Sequence, residues 1–306
     1  MTDTNASPPR PSHTDTKHRQ AFLLLITGAC VIGAAPILVR LAEAGPAAIG
    51  FWRLALSLPL LAVLARRSAD GVGRASGLAV LAGLAFALDL GFWHYGIANT
   101  SVAKATVLTN LTPLVVTTVV WIFFKQRPTR LFLLAVALAI AGAWILATSK
   151  SVGTVGPNPP LGDALSLTTA LWYALYFLTM SAARQRSAAA RAMFWSSLTG
   201  GVALLLAAVS LGEPIMPATT AGWAACAALG VVHAVGQGSI AWALGRLPPA
   251  RASVMVLLQP VVATILGWVV FSERFSAWQA VGAAIALGGV LLAQWASRSR
   301  LARTTV

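Results

Sequence analysis

The chain repeats one pattern along its length, an apolar run of about 20 residues followed by a short polar break. A helix rises 1.5 Å per residue, so a run of this length crosses the hydrocarbon core of a bilayer, about 30 Å thick. Only 10% of the residues are charged, against about 25% in a typical soluble domain. We therefore predict an all-α polytopic membrane protein rather than a soluble enzyme. The ten predicted transmembrane helices lie at about 21–42, 47–65, 77–98, 103–124, 129–148, 161–182, 190–210, 221–244, 250–271 and 277–296.

The positions of the basic residues predict the orientation of these helices. Residues 1–20 and 297–306 are polar and are expected to form cytoplasmic tails, the first of them disordered. With both termini inside, seventeen of the 22 lysines and arginines fall in cytoplasmic segments, which is a strong positive-inside signal. The first span is too long for the apolar region of a signal peptide. We expect a multi-pass protein of the cell (inner) membrane, whose net charge of +14 faces anionic lipid rather than nucleic acid.

An internal repeat divides the chain into two halves. Shifting the sequence by 147 positions aligns Ala103 to Leu146 with the second half without a gap, and thirteen of the 44 positions are identical. We predict two five-helix repeats, 21–148 and 161–296, joined by a linker at 149–160. Because five is odd, the second repeat enters the membrane from the opposite side. Inverted repeats are typical of secondary transporters, which bind substrate near the bilayer midplane.

The repeat includes a proline near the middle of each fourth helix, Pro113 and Pro260. Each proline removes a backbone hydrogen bond and is expected to free the carbonyl four residues earlier, at Thr109 and Val256. Non-helical backbone at this depth is tolerated against protein or a wet cavity. The two prolines are therefore predicted helix breaks, with a simple packing kink as the alternative.

Two charged residues within the spans are the first functional candidates, because ionisable groups cost several kcal/mol at bilayer depth. Arg53 on the second helix and Asp89 on the third lie at similar depth, so we expect an ion pair between them. The pair could serve only to dock the two helices. Alternatively, Asp89 takes up a proton or a substrate amine, and Arg53 tunes its pKa or meets a substrate carboxylate.

Further polar and aromatic side chains inside the spans are candidates for substrate or proton binding. Their alternative roles are helix packing or, for His94, contact with water at the outer interface. An aromatic cavity containing an acid would suit a small amphipathic cation or zwitterion. These candidates are His94, His233, Gln237, Asn110, Gln259, Trp93, Trp172 and Tyr176.

Several local sequences resemble one transporter family. They are the leads into the two fourth helices (GIANTSVAKAT and ALGRLPPARAS), the mid-helix prolines and the Gly-rich fifth helices. Each half resembles an EamA domain of the drug/metabolite transporter superfamily, and GFWRLALSLPLL resembles its second helix, with Arg53. Glu273 stands at the family's acidic position, whereas Gln126 and Ser196 depart from the pattern. The resemblance covers residues 21–296 and implies a permease for amino acids, other metabolites or drugs.

Together these features predict a secondary active transporter that exports a small organic metabolite, amino acid-like or drug-like, by alternating access. Its expected partners are this substrate, the lipid bilayer and, if Asp89 couples transport, protons. A passive channel or a membrane sensor is the alternative. An intramembrane enzyme is less favoured, since Asp163 lies at a span end and cannot pair with Asp89. No ATP-binding motif or metal-ligand spacing is present, so we expect no cofactor and no metal. The sequence carries no signal for the oligomeric state.

Overall fold

The computed structural model describes residues 13–124, 129–148, 156–256, 258–271 and 276–301. Within these ranges all regular secondary structure is helical. The helices of the first half are α1 His13–Ile32, α2 Ala35–Leu41, α3 Pro46–Ala55, α4 Leu58–Arg67, α5 Gly77–Asn99, α6 Val102–Thr109, α7 Thr112–Phe124 and α8 Arg130–Thr148. Those of the second half are α9 Pro159–Arg184, α10 Ala189–Ser210, α11 Thr220–Val232, a π-helix His233–Gln237, α12 Gly238–Leu244, α13 Pro249–Met255, α14 Leu258–Phe271 and α15 Ala277–Leu301.

Among the described residues, seven helical stretches are long and apolar enough to cross a membrane, and two shorter apolar segments, Leu133–Gly142 and Ala277–Gly289, lie within α8 and α15. The prediction of an all-helical, multi-pass membrane protein is thereby confirmed. The seven stretches are Gln20–Leu41, Pro46–Arg67, Gly77–Asn99, Lys104–Phe123, Pro159–Arg184, Ala189–Ser210 and Thr220–Leu244.

Both terminal helices extend into the segments that the sequence suggested as tails. α1 begins at His13 and α15 continues to Leu301. Neither extension contains proline or glycine, so the helical hydrogen bonds continue without interruption. In the linker, α9 begins at Pro159, and the Asn158 side chain accepts a hydrogen bond from the Leu161 N–H at 3.3 Å. The other tail and linker residues, 1–12, 149–155 and 302–306, lie outside the described part of the chain.

Three of the seven spanning stretches, and the segment formed by α13 and α14, are interrupted just before a proline. Proline fixes φ and lacks an N–H, so it fits the first turn of a helix better than its interior. The breaks fall at 33–34, 56–57, 110–111 and around 256, and the prolines that follow are Pro36, Pro59, Pro113 and Pro260. The sequence analysis considered only the last two of these. A fifth stretch changes from α-helix to π-helix at His233.

The carbonyl groups expected to be free at two of these breaks have partners within the chain. The Thr112 hydroxyl donates to the carbonyl of Thr109 at 2.8 Å. The backbone N–H of Gln259 donates to the carbonyl of Val256 at 2.9 Å. This corrects the expectation of unpaired carbonyls, because a side-chain hydroxyl at the first break and a tighter i to i+3 turn at the second replace the missing i to i+4 bond.

Glycines bring helices of the two halves into close reciprocal contact. A Cβ on Gly142 of α8 would overlap the backbone of Ala286, and a Cβ on Gly289 of α15 would overlap the backbone of Ala139. Positions 142 and 289, and likewise 139 and 286, differ by 147 residues. α8 and α15 therefore pack on each other through equivalent surfaces.

The loops that follow the stretches Pro46–Arg67 and Ala189–Ser210 each contact the other half of the chain in an equivalent way. Trp195 Nε1 donates to the carbonyl of Val72 at 2.9 Å, and Trp52 Nε1 donates to the carbonyl of Ile215 at 2.8 Å. Both the tryptophans and their acceptors are 143 residues apart. Thus the loop of the first half contacts α10, and the loop of the second half contacts α3.

An acidic side chain in each of these loops caps the start of a spanning helix. The carboxylate of Glu213 accepts from the N–H groups of Ala47 and Ala48 at 3.2 and 3.0 Å, in the first turn of α3. Asp70 accepts from the N–H of Ala188, the residue before α10, at 2.6 Å. Negative charge at a helix N-terminus satisfies free N–H groups and interacts favourably with the helix dipole.

Candidate functional site

A small buried cavity lies where helices of both halves meet. Its walls come from α1, α3, α5, α6 and α9, from the π-helix and from α14. Six residues proposed from the sequence line it together, namely Arg53, Asp89, Trp93, Asn110, Gln237 and Gln259. The cavity volume is about 30 Å³, which holds a few water molecules at most. A small-molecule pocket of about 300–1,000 Å³ would require the helices to move apart.

Arg53 is the main basic group of this cavity. Its side chain is 2% exposed, and its Nε and Nη1 atoms have no hydrogen-bond partner among the described residues. The guanidinium carbon lies 5.9 Å from the ring centroids of both Phe86 and Trp93. This is near the outer limit of a cation–π interaction, so the rings hold the group without neutralising its charge. A buried cation with unused donors is a binding group for an anion.

Asp89 faces the same cavity but does not pair directly with Arg53. Its side chain is 5% exposed, and the described residues provide no ion-pair partner for it. The two charges still attract each other across the cavity. The expected ion pair is therefore absent, because the Arg53 guanidinium lies between the rings of Phe86 and Trp93 and not against the carboxylate. Both charged groups keep their capacity to bind a third partner.

Neutral polar groups complete the walls. Gln237 Nε2 lies 3.5 Å from the hydroxyl of Tyr173, at the long limit of a hydrogen bond. Asn110 Nδ2 donates to the carbonyl of Thr106 at 2.7 Å, which leaves its Oδ1 without a partner, and Gln259 Nε2 also has none within the described ranges. Asn110 and Gln259 lie beside the two helix breaks of α6–α7 and α13–α14. The breaks thus place amide groups at the cavity.

Six further residues line the cavity that the sequence did not suggest as binding groups, and three of them, Tyr173, Thr106 and Thr109, are polar. From the segment ALWYALYF of α9, the sequence suggested Trp172 and Tyr176. Trp172 contacts Phe92, with ring centroids 6.0 Å apart, away from the cavity, whereas Tyr173 reaches it. Tyr176 is fully buried behind the wall, where its ring packs on Phe86 at 4.6 Å. The sequence does not say which side of α9 faces Asp89, so it could not distinguish Tyr173 from Trp172 and Tyr176.

The two histidine candidates also lie outside the cavity. His233 packs on Phe86, with ring centroids 5.3 Å apart, and its Nε2 lies 2.9 Å from the Ser197 hydroxyl. His94 is 1% exposed, so it is not wetted at the interface, and its Nδ1 lies 2.9 Å from the carbonyl of Pro46. Glu273 and Gln126, the acidic position and its counterpart, lie outside the described residues.

His94 forms part of a wider vestibule at the end of the molecule where α2 ends, α3 begins and α5 ends. The vestibule has a volume of about 410 Å³ and is lined also by Arg40, Glu43 and Ile49. Trp93 and Leu90, next to His94 on α5, line the central cavity instead. Adjacent residues of α5, Trp93 and His94, therefore line the central cavity and the vestibule respectively.

Beside this vestibule a buried ion pair fixes the ends of α6 and α9. Lys104 Nζ lies 2.9 Å from Asp163 Oδ2, and the Thr100 hydroxyl donates to Asp163 Oδ1 at 2.8 Å. From the sequence, Asp163 is only a candidate catalytic acid at the end of a span. Its partners make it a structural group. No cluster of three or more histidine, cysteine, aspartate or glutamate side chains suited to a metal occurs within the described ranges.

The chain matches a transporter family and two proteins that are named as transporters. Residues 19–148 and 160–295 each match the EamA-like transporter family. An uncharacterized transporter of Archaeoglobus fulgidus is 27% identical over 274 residues, which cover 88% of this chain and 94% of that protein. The uncharacterized transporter YwfM of Bacillus subtilis is 26% identical over 280 residues, or 84% of this chain and 87% of that protein.

One solved crystal structure of a protein has the same fold. It superposes with a TM-score of 0.69 at 18% sequence identity, over 91% of this chain and 98% of the other. The two family matches span most of the chain and coincide with the halves whose helices enclose the cavity. The chain therefore belongs to the EamA-like transporter family, and it is a multi-pass membrane transporter with two EamA repeats.

Proposed function

We propose that this protein is a secondary active transporter that exports a small organic metabolite by alternating access. In this proposal ten helices form two inverted five-helix repeats in the cell (inner) membrane, with both termini in the cytoplasm. The substrate binds at the central cavity between the repeats. The observation that carries the proposal is the position of Arg53 and Asp89 in one cavity lined by both halves, unpaired with each other.

The reciprocal contacts support an inverted arrangement. When two equivalent units are related by a two-fold axis, a contact from i to j is matched by the contact from j to i. The pairs Gly142–Ala286 and Ala139–Gly289, and the tryptophan bonds of Trp52 and Trp195, follow this rule. A two-fold axis in the membrane plane relates repeats of opposite orientation.

The clustering of loops supports the proposed topology. The loop at 68–76 contacts residues 188–195 at one end of the molecule. At the other end the loop at 211–219 contacts residues 43–52. The first end carries the arginines that the positive-inside rule assigns to the cytoplasm, including Arg66, Arg67 and Arg186.

The charges of the cavity favour a substrate with a carboxylate, an amine or both. Arg53 has free donors for a carboxylate, and Asp89 accepts either a substrate ammonium or a proton. Trp93 and Tyr173 supply aromatic surface for an apolar side group. An amino acid-like or amphipathic drug-like molecule fits these groups, and proton exchange at Asp89 would couple its export to a pH gradient.

The closed cavity favours a carrier over a passive channel. A volume of about 30 Å³ leaves no continuous path for a metabolite. The vestibule of about 410 Å³ is a separate space, which shares no lining residue with the cavity. Movement of one repeat against the other would widen the cavity toward one side at a time.

Reconstitution tests this proposal. Metabolites that accumulate in cells lacking the protein are tested for uptake into proteoliposomes with and without a pH gradient. We expect saturable flux and counterflow, in which unlabelled substrate inside accelerates entry of labelled substrate. Flux that rises linearly with concentration and shows no counterflow would support a channel and contradict the proposal.

A further inference from the structure

A second site lies in a groove on the lipid-facing side of the protein, at the end that carries the basic loops. It has a volume of about 530 Å³ and lies between α4, α10 and α12, with α1 at its edge. This volume is in the range of ligand-binding pockets, about 300–1,000 Å³. The groove shares no lining residue with the central cavity. It is therefore separate from the proposed transport site.

The walls of the groove are apolar and open to the bilayer. Leu24, Leu60, Leu64 and Val235 line it, and each remains between 39% and 45% exposed. Exposed aliphatic side chains on a membrane-spanning stretch contact lipid chains. Gly238 lies in the wall, and the position of a Cβ there has no neighbour within 4 Å. The absence of a side chain at this position leaves room for an acyl chain.

Two arginines lie at the end of the groove. Arg184 ends α9 and Arg246 follows α12, and their positive charges repel each other. Arg246 also stacks on Trp242, with its guanidinium carbon 3.4 Å from the ring centroid. Tryptophan and arginine together are typical of the level of lipid headgroups. Bringing two like charges together costs free energy unless an anion lies between them.

The nearby acidic group only partly offsets these charges. Asp70 interacts with Arg184, but its carboxylate accepts the N–H of Ala188 at 2.6 Å. Arg184 itself donates to the carbonyls of Ala241, at 3.0 Å, and Ser187, and Arg246 donates to that of Trp242. No acidic side chain is among the described residues that line the groove. The groove therefore keeps a net positive charge at one end of an apolar surface.

We propose that this groove binds an anionic phospholipid, with its phosphate at Arg184 and Arg246 and one acyl chain along α4 and α12. The apolar walls exclude a free phosphate ion as the natural occupant, since it would leave them uncovered. The first turn of α10, a 22-residue helix, adds its dipole on the headgroup side. Basic pockets between helices at the cytoplasmic face are known to suit anionic headgroups.

Native mass spectrometry of the delipidated protein tests this assignment. The protein in detergent is titrated with phosphatidylglycerol and phosphatidylcholine, and bound lipids are counted. The double variant Arg184→Gln/Arg246→Gln is compared with Arg67→Gln/Arg186→Gln, which removes the same charge from the same end outside the groove. We expect the first pair to weaken phosphatidylglycerol binding about 30-fold, since each arginine near an anionic lipid contributes about fivefold. The second pair should change it little.

A steric variant provides an independent readout. Gly238→Leu puts a side chain into the groove and keeps both arginines, and its Cβ has no neighbouring atom within 4 Å. It should lower phosphatidylglycerol binding while the protein stays folded, and it decides the matter alone if the arginine pair fails to fold. Equal losses in the two arginine pairs, unchanged binding in Gly238→Leu, or displacement of the lipid by inorganic phosphate would each overturn the proposal.

Discussion

The ring of His233 stacks on the ring of Phe86, with centroids 5.3 Å apart and an angle of 30° between the planes. The two residues are 147 positions apart, the shift that aligns the two halves of the sequence. In the proposed inverted arrangement, a residue that packs on its own counterpart lies at the axis between the repeats. The pair therefore joins the halves directly behind the central cavity, to which Phe86 contributes and His233 does not.

We predict that His233 acts in packing rather than in transport. His233→Phe should keep the aromatic stack and lose the contact with Ser197, at a cost of about 1 kcal/mol. His233→Ala should lower the stability by about 3 kcal/mol, because it leaves a cavity. Thermal unfolding in detergent measures both effects. If His233→Phe folds normally but abolishes flux, the imidazole takes part in transport and this prediction is wrong.

Asp89→Asn should separate coupling from folding. Asparagine keeps the size of the side chain and Asp89 has no direct ion-pair partner in the described part of the chain, so the free energy of unfolding should change by only about 1 kcal/mol. Accumulation driven by a pH gradient should be lost, since asparagine does not carry a proton. Flux in proteoliposomes with an imposed gradient measures this. Asp70→Asn is the matched control, because asparagine retains the helix cap outside the cavity. Gradient-driven flux at the wild-type rate in Asp89→Asn would exclude Asp89 as the coupling group.

Arg53→Gln should impair a substrate that carries a carboxylate. In the bound state Arg53 would form a buried charge pair with the substrate carboxylate. Removing one partner of such a pair costs about 2–5 kcal/mol, so kcat/KM for transport should fall at least about 30-fold. Arg53→Lys should also be impaired, because a compact ammonium does not reproduce the planar donors of the guanidinium. Initial rates measure both variants.

An ester analogue of the same substrate is the control for Arg53. It lacks the negative charge, so the wild type and Arg53→Gln should transport it at similar rates. An equal loss for the acid and the ester would show that Arg53 supports the fold of the cavity and does not bind the carboxylate.

Two adjacent glycines of α15 should differ in their tolerance of a larger side chain. Gly289→Val places its Cβ against the backbone of Ala139 and should destabilise the protein by about 1–3 kcal/mol. A Cβ at position 288 has no neighbouring atom within 4 Å, so Gly288→Val should be tolerated. Size-exclusion profiles and thermal unfolding in detergent compare the two. Similar behaviour of both variants would mean that α8 and α15 do not pack through Gly289.

The two acidic caps should differ in their contribution to stability. Glu213→Ala removes the acceptor for two N–H groups of α3 and for the hydroxyl of Tyr95, so we expect a loss of about 2 kcal/mol. Asp70→Ala removes one exposed bond and should cost about 0.5–1 kcal/mol. Denaturant titration monitored by tryptophan fluorescence measures the difference. A larger effect of Asp70→Ala would contradict the assigned roles.

The sequence alone predicted the helices, the internal repeat and the transporter family, because these depend on local hydropathy and on aligned residues. An apolar run of about 20 residues has few alternatives to a spanning helix. The same reasoning selected Arg53 and Asp89, since a charge at bilayer depth is costly wherever the helix faces. Pro36 and Pro59 carry the same sequence signal as Pro113 and Pro260, because each lies in the first turn of a new helix.

The tertiary structure decided which candidates share one cavity. Trp172 and Tyr173 are neighbours in the sequence, but successive residues of a helix point about 100° apart, so the rotation of α9 brings Tyr173 to the cavity and turns Trp172 away. Likewise, the positions of Arg53 and Asp89 within their spans predicted a similar depth in the bilayer, but the rings of Phe86 and Trp93 keep the guanidinium from the carboxylate. Hydropathy and spacing fix position along a helix axis. Rotation about that axis and the reach of a side chain depend on contacts between helices that are distant in the sequence.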